Sequence, residues 1–132
     1  MPVVLVLGWR MNWADYPNFT EDEFRCSHTG ICKMNADFMK KLQHVRGVYG
    51  KPMKISSGYR HPSHPIEAAK SVRGEHTLGG AADVAVRGVD ALRIVQLALN
   101  LGFTRIGVQQ KGVERFIHLG DSPAFLPGIW SY

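Results

Sequence analysis

Apolar residues recur along this chain with two different periods, and the change of period marks its elements. In "ADFMKKLQHVRGVY" the residues Phe38, Leu42, Val45 and Tyr49 fall on one helical face, which predicts an amphipathic helix. Asn35 is its N-cap, and Gly50 followed by Pro52 ends it. A second helix is predicted from a cap at Asp90, with Leu92, Val95, Leu99 and Ile94, Leu97, Leu101 facing the core and Gly102 as the stop. Upstream, Thr20 and Glu23 of "NFTEDEFRC" form a capping-box pattern, which predicts a short helix or turn with Phe19 and Phe24 turned inward.

Elsewhere the period is two. "MKISSGYR" reads as a strand running into a turn, "AADVAV" (81–86) as a short buried strand, and "FTRIGVQ" and "ERFIHLG" as two strands joined through "QKG". The apolar run Val3–Leu7 is an edge or core strand, since it is far too short to span a bilayer. Residues 61–75 form a polar, proline-containing loop with one helical turn at Ile66–Lys70. The order helix, strand, loop, strand, helix, hairpin implies one compact α+β domain over residues 1–132, a mostly antiparallel sheet packed with helices.

Composition narrows the partners. A chain of 132 residues with 45% hydrophobic and 20% charged residues is ordinary globular protein with room for its own core. A net charge of +5 favours an anionic partner, whether nucleic acid, a membrane surface or an anionic cell-wall polymer. The basic residues are scattered, without a stripe or a recognition helix, which argues against nucleic acid. The N-terminal segment lacks a basic region and a small-residue cleavage site, so no signal peptide is expected. The chain is then made in the cytoplasm, without membrane insertion, as a monomer. Cys26 and Cys32 would sit in a reducing compartment, where a stable disulfide is not expected. Cys26, His28 and Cys32 of "CSHTGIC" could instead form a structural zinc site, but their spacing is not that of a standard finger and a fourth ligand is missing.

The densest chemistry lies in "GEHTLGGAADV" (74–84). Its glycines and alanines suit a tight turn and a close backbone approach. Its His76 and Asp83, with His118 of a second strand, are also two imidazoles and a carboxylate that neighbouring strands could bring together. That is a donor set of catalytic zinc, with a fourth position open. Singly, each has an ordinary reading: a core histidine, a carboxylate at a strand end, and for Arg60 a surface ion pair.

Taken in order, "SGYR" (57–60), "HTLGGAAD" (76–83) and "FIHLG" (116–120) resemble zinc peptidases of the D-alanyl-D-alanine carboxypeptidase type. That group includes phage endolysins and murein endopeptidases and shares a zinc fold with lysostaphin and the hedgehog signalling domain. His76, Gly79, Ala81 and Asp83 meet the signature His-x-x-Gly-x-Ala-x-Asp. "NFTEDEFRC" and "IWSY" resemble the opening and the tail of a short branch, so the resemblance covers about residues 18–132. It implies that His76, Asp83 and His118 hold one zinc ion, with His61 and His64 outside the first shell. It further implies that Arg60 contacts substrate and helps hold the oxyanion, and that Ser57, Tyr59 and His64 line the cleft.

The chain departs from the pattern at three positions. Relatives carry a Glu or Asp three residues before the last zinc histidine as general base, where this chain has Arg115, which cannot accept a proton. Strand parity puts Glu114 on the side of Phe116 and His118, making it the first candidate base, ahead of Asp121 and then Glu75. Gly120 stands where an Asp often follows the last histidine, and Gly74 where a serine is common. The implied activity is zinc-dependent hydrolysis of peptide bonds in peptidoglycan, as a D,D- or L,D-type carboxypeptidase or endopeptidase. A phage or prophage lysin fits this, acting on the wall after lysis or within a virion. The competing reading is a non-catalytic zinc-binding wall or virion module that retains the fold.

Overall fold

The structure, a computed structural model, describes residues 11–132, and the strand expected at Val3–Leu7 lies outside them. Helix α1 spans Ala36–Tyr49, with the Asn35 side chain accepting the Phe38 N–H at 2.9 Å and Gly50 in the left-handed conformation at its end. Strand β1 (Lys54–Ser57) is followed by a single helical turn, α2 (Pro65–Ala68), and by β2 (Ala81–Ala85). Helix α3 (Gly88–Asn100) leads into β3 (Arg105–Gln109), β4 (Phe116–Gly120) and β5 (Gly128–Ser131). The architecture is α+β, as the periods imply.

Two local expectations need correction. Helix α3 starts two residues before Asp90, which sits in its first turn, where a carboxylate favours the helix dipole, and pairs with Lys51 at 2.6 Å. The face that α3 buries is Ala91, Ile94, Leu97 and Ala98, while Leu92 and Leu99 are 69% and 54% exposed. A helix has one buried stripe, and small alanines in that stripe let it lie close to its neighbours. Near the N-terminus, the Glu23 carboxylate accepts the Thr20 N–H at 2.8 Å and starts a 3-10 turn, Glu21–Phe24. Phe19 and Phe24 are buried there with rings edge-on at 5.5 Å.

The five strands form one sheet in the order β1-β2-β4-β3-β5, antiparallel except for β3 with β5. Its register explains the site. Ser57 pairs with Asp83, Asp83 with His118, His118 with Gly107, and Gly107 with Trp130, so a single row crosses all five strands. Paired residues share a face. Their neighbours Ala82, Val84, Ile106, Ile117 and Leu119 point the other way, into the core with Phe38, Leu42 and Ile94 of the two long helices. One face of the sheet is thus an apolar floor held by α1 and α3, and the other carries the polar row. No helix among the described residues is long and apolar enough to cross a membrane.

Candidate metal centre

His76 reaches the polar row from a 3-10 turn, Glu75–Leu78, that ends at Gly79 with φ 68°. A Cβ at Gly79 would also run into the Lys33 carbonyl, so glycine is required there by conformation and by space. One donor atom from each of His76, Asp83 and His118 lies within 4.8 Å of the others, and all three residues are buried. Asp83 Oδ1 is 3.0 Å from His118 Nδ1 and 3.4 Å from His76 Nε2. A tetrahedral zinc with arms of about 2.0–2.1 Å would separate its ligands by about 3.3 Å, so the residues fit the ion. The His76 ring is set for this role. Its Nδ1 lies 2.7 Å from the Gly58 carbonyl, which can only accept, so Nδ1 carries a proton and Nε2 is the atom turned toward Asp83.

Burial alone would raise the Asp83 pKa, but hydrogen bonds from His118 and His76 and their charges hold it well below the usual carboxylate range. Burial would lower that of His118, yet its bonds to Asp83 and Glu75 keep it above the ordinary histidine value. Glu75 is held low against its own burial by His118 and Arg105.

Arg60 lies at the edge of the group. One guanidinium nitrogen is 3.6 Å from Asp83 Oδ2, another donates to Glu67 Oε2 at 3.1 Å, and Nε donates to Ser57 Oγ at 3.2 Å. The surrounding cleft encloses about 1090 Å³. Lys54, Arg60, Lys70, Arg87, Arg105 and Arg115 line it, against the acids Glu75, Asp83 and Glu114. Trp130 closes one side, its ring 5.1 Å from that of His118. Gly107 makes this possible, because a Cβ there would come within 2.8 Å of the Trp130 ring.

Other expected residues lie elsewhere. Tyr59 is part of the hydrophobic core and does not line the cleft, because past the end of β1 its N–H is tied to the Phe24 carbonyl at 2.9 Å. His64 is also outside the cleft lining, since its ring caps α2 by accepting the Ile66 N–H. The His61 N–H points to Cys26 Sγ at 3.3 Å. Glu114 lines the cleft but is exposed, and it precedes β4, so strand parity does not govern its direction. Asp121 turns away to Lys41 of α1 at 2.9 Å. Glu75, the third choice from sequence, stands closest, with Oε1 2.5 Å from His118 Nε2. Cys26 and Cys32 are free, and burial pushes the Cys32 thiol up to about 11, which disfavours a thiolate ligand. Among the described residues only His76, Asp83 and His118 assemble as a three-residue metal group.

Sequence reasoning passed over Glu67, fully buried under Arg60. It sits in α2, within a stretch whose sequence reads as a polar loop, and nothing in its spacing marks it. For Glu75 a signal existed: an acid beside the first ligand, with glycine two residues after the last.

The family model described as Peptidase M15 matches residues 17–120, which is 104 of the 132 residues. No curated protein matches the chain.

Proposed function

This chain belongs to the peptidase M15 family, and we propose that it is a zinc-dependent peptidase that hydrolyses peptide bonds of bacterial peptidoglycan. M15 peptidases are zinc enzymes, and His76, Asp83 and His118 are the residues that would hold the ion. Zinc supplies a Lewis acid that polarises a peptide carbonyl and makes water nucleophilic near neutral pH. The observation that carries the reading is the placement of this buried donor set at the bottom of an open, cationic cleft.

The chain's own residues do the rest. Arg60, locked by Ser57 and Glu67, presents a fixed cation beside the metal group, where it stabilises negative charge developing on the attacked carbonyl oxygen. The excess of lysine and arginine along the cleft draws in a substrate that carries carboxylates, as peptidoglycan stem peptides do. Trp130 and Phe125 give the backbone of such a peptide an apolar wall. The cellular setting that suits this chemistry is a phage or prophage lysin, acting on the wall after lysis or from a virion.

One observation favours the second reading, a wall- or virion-associated zinc module without turnover. Arg115 holds the position three residues before His118, and its Nε is occupied by the Gly112 carbonyl at 2.9 Å. Incubation of the zinc-loaded protein with purified peptidoglycan, followed by mass spectrometry of released fragments, separates the two. Shortened stem peptides or opened cross-links, lost on chelation, are expected. Intact peptidoglycan in the presence of stoichiometrically bound zinc would leave the binding module as the better account.

A further inference from the structure

His118 has a carboxylate on each of its ring nitrogens. Nδ1 is 3.0 Å from Asp83 Oδ1, on the side shared with His76, and Nε2 is 2.5 Å from Glu75 Oε1. We propose that Glu75 is the positioning residue for His118, holding its imidazole in the tautomer that leaves Nδ1 free for the metal. This rests on the reading of His76, Asp83 and His118 as a zinc site. An imidazole ligates only through an unprotonated nitrogen, so a ring that uses Nδ1 must carry its proton on Nε2. A carboxylate can only accept, so Glu75 selects that tautomer, stops the ring from rotating and makes Nδ1 a better donor. His76 is held in the opposite sense by the Gly58 carbonyl. Each histidine of the group therefore has one nitrogen tied from outside it, His76 by backbone and His118 by a side chain, and the other turned toward Asp83.

Two further features are arranged around this carboxylate. Arg105 Nε donates to the same Oε1 at 2.9 Å. Arg105 is itself stacked at 4.7 Å over Trp130, whose ring lies against His118, so the clamp and the ligand share one wall. The second feature is Gly120. It lies in β4 and has no positive φ, so the backbone does not ask for glycine. A Cβ at that position, however, would run into both oxygens and the carboxyl carbon of Glu75. Strand β4 thus omits a side chain where the carboxylate of residue 75 needs the space. The other oxygen, Oε2, is buried and has no hydrogen-bond partner among the described residues.

The test reads zinc and the ring, not turnover. Zinc dissociation constants come from competition with a chromophoric chelator, and the His118 tautomer from the ¹⁵N shifts of the zinc-loaded protein. The parent is expected to show a single tautomer protonated on Nε2. Glu75→Ala should weaken zinc binding by about 10–100-fold and scramble the ring. Glu75→Gln, which keeps an acceptor without the charge, should weaken it by less, roughly 5-fold. The double variant Glu75→Ala/Gly120→Asp returns a carboxylate from β4 and should recover most of the affinity, which a general packing defect would not. Zinc affinity in Glu75→Ala within twofold of the parent overturns the proposal. If that variant does not fold, the same result in Glu75→Gln overturns it. A parent chain that takes up no zinc overturns the metal-site reading and this inference with it, an outcome distinct from tight binding that is indifferent to residue 75.

Discussion

Glu67 and Glu75 are two buried glutamates in the connection between β1 and β2, and they use their charge in different ways. Glu67 is saturated: Oε1 accepts the Gly74 N–H at 2.8 Å, and Oε2 accepts from Arg60 at 3.1 Å and Lys70 at 3.0 Å. All three partners lie within seven residues of it in sequence. Glu75 puts two donors on one oxygen, and those donors are 30 and 43 residues away on β3 and β4. A buried charge that closes a loop finds every partner nearby. Glu75 instead reaches across the sheet to His118 and Arg105. The two glutamates thereby hold different parts of the group, Glu67 the cation Arg60 and Glu75 the ring of His118.

The largest effects belong to the metal side. His76→Ala and His118→Ala should each lose stoichiometric zinc after dialysis, measured by elemental analysis, with all peptide hydrolysis gone. Their fold should survive in part, since a catalytic site adds less to folding than a structural one. Retention of zinc at one to one in either variant would remove that histidine from the group, and the argument for Glu75 would go with His118. Next comes the cation side. Arg60→Ala should cut kcat/KM by two orders of magnitude or more, about 3 kcal/mol, with zinc content unchanged. Turnover equal to the parent would take Arg60 out of the chemistry and leave Glu67 as a loop residue only.

Glu67 itself gives a smaller effect and a pH signature. Its carboxyl is fully buried, which by itself raises a pKa, but bonds from Gly74, Lys70 and Arg60 bring it down to about 2, below the ordinary 4.5. A depressed carboxylate stabilises the fold fully above the unfolded value. That stability is lost as pH falls from about 4.5 through about 2. Lys70 is partly exposed, so about 2 kcal/mol at pH 7 is a fair size for the contribution. Urea unfolding of Glu67→Gln should show that loss at pH 7 and a flatter decline toward pH 2.5, with zinc affinity near that of the parent. A Glu67→Gln protein that loses zinc as strongly as Glu75→Ala would erase the division between the two glutamates.

Most of this frame is legible in the residues. The periods place both long helices and the strands of Asp83 and His118, because alternation and helical spacing report burial directly. The parallel strand β5 is not legible, since "GIWS" is short and its partner β3 lies far back in sequence. The start of α3 moved because Asp90 is as good in a first turn as at a cap. The two leucine faces of α3 could not be ranked without knowing that Ala91 and Ala98 lie toward the core. For the site, the three donor residues follow from the motif. The supporting carboxylate does not, because Glu75 meets His118 only through the register that sets β4 beside β2.

The smallest effects are expected at the two acids that sequence favoured over Glu75. Glu114 is exposed and precedes the strand that would have aimed it, and Asp121 is spent on Lys41 of α1. A group that moves a proton must come within hydrogen-bond reach of the reacting atoms, directly or through one water. Neither residue forms a hydrogen bond or ion pair with His76, Asp83 or His118 among the described residues. Glu114→Gln and Asp121→Asn should therefore keep zinc and lower hydrolysis less than threefold. Asp121→Asn should also lose no more than about 1 kcal/mol of stability, since the Lys41 side chain is partly exposed. Steady-state rates on peptidoglycan fragments across the three acids would rank them. An inactive, zinc-loaded Glu114→Gln protein would make the rim acid the proton carrier, a role separate from the hold of Glu75 on the ring of His118.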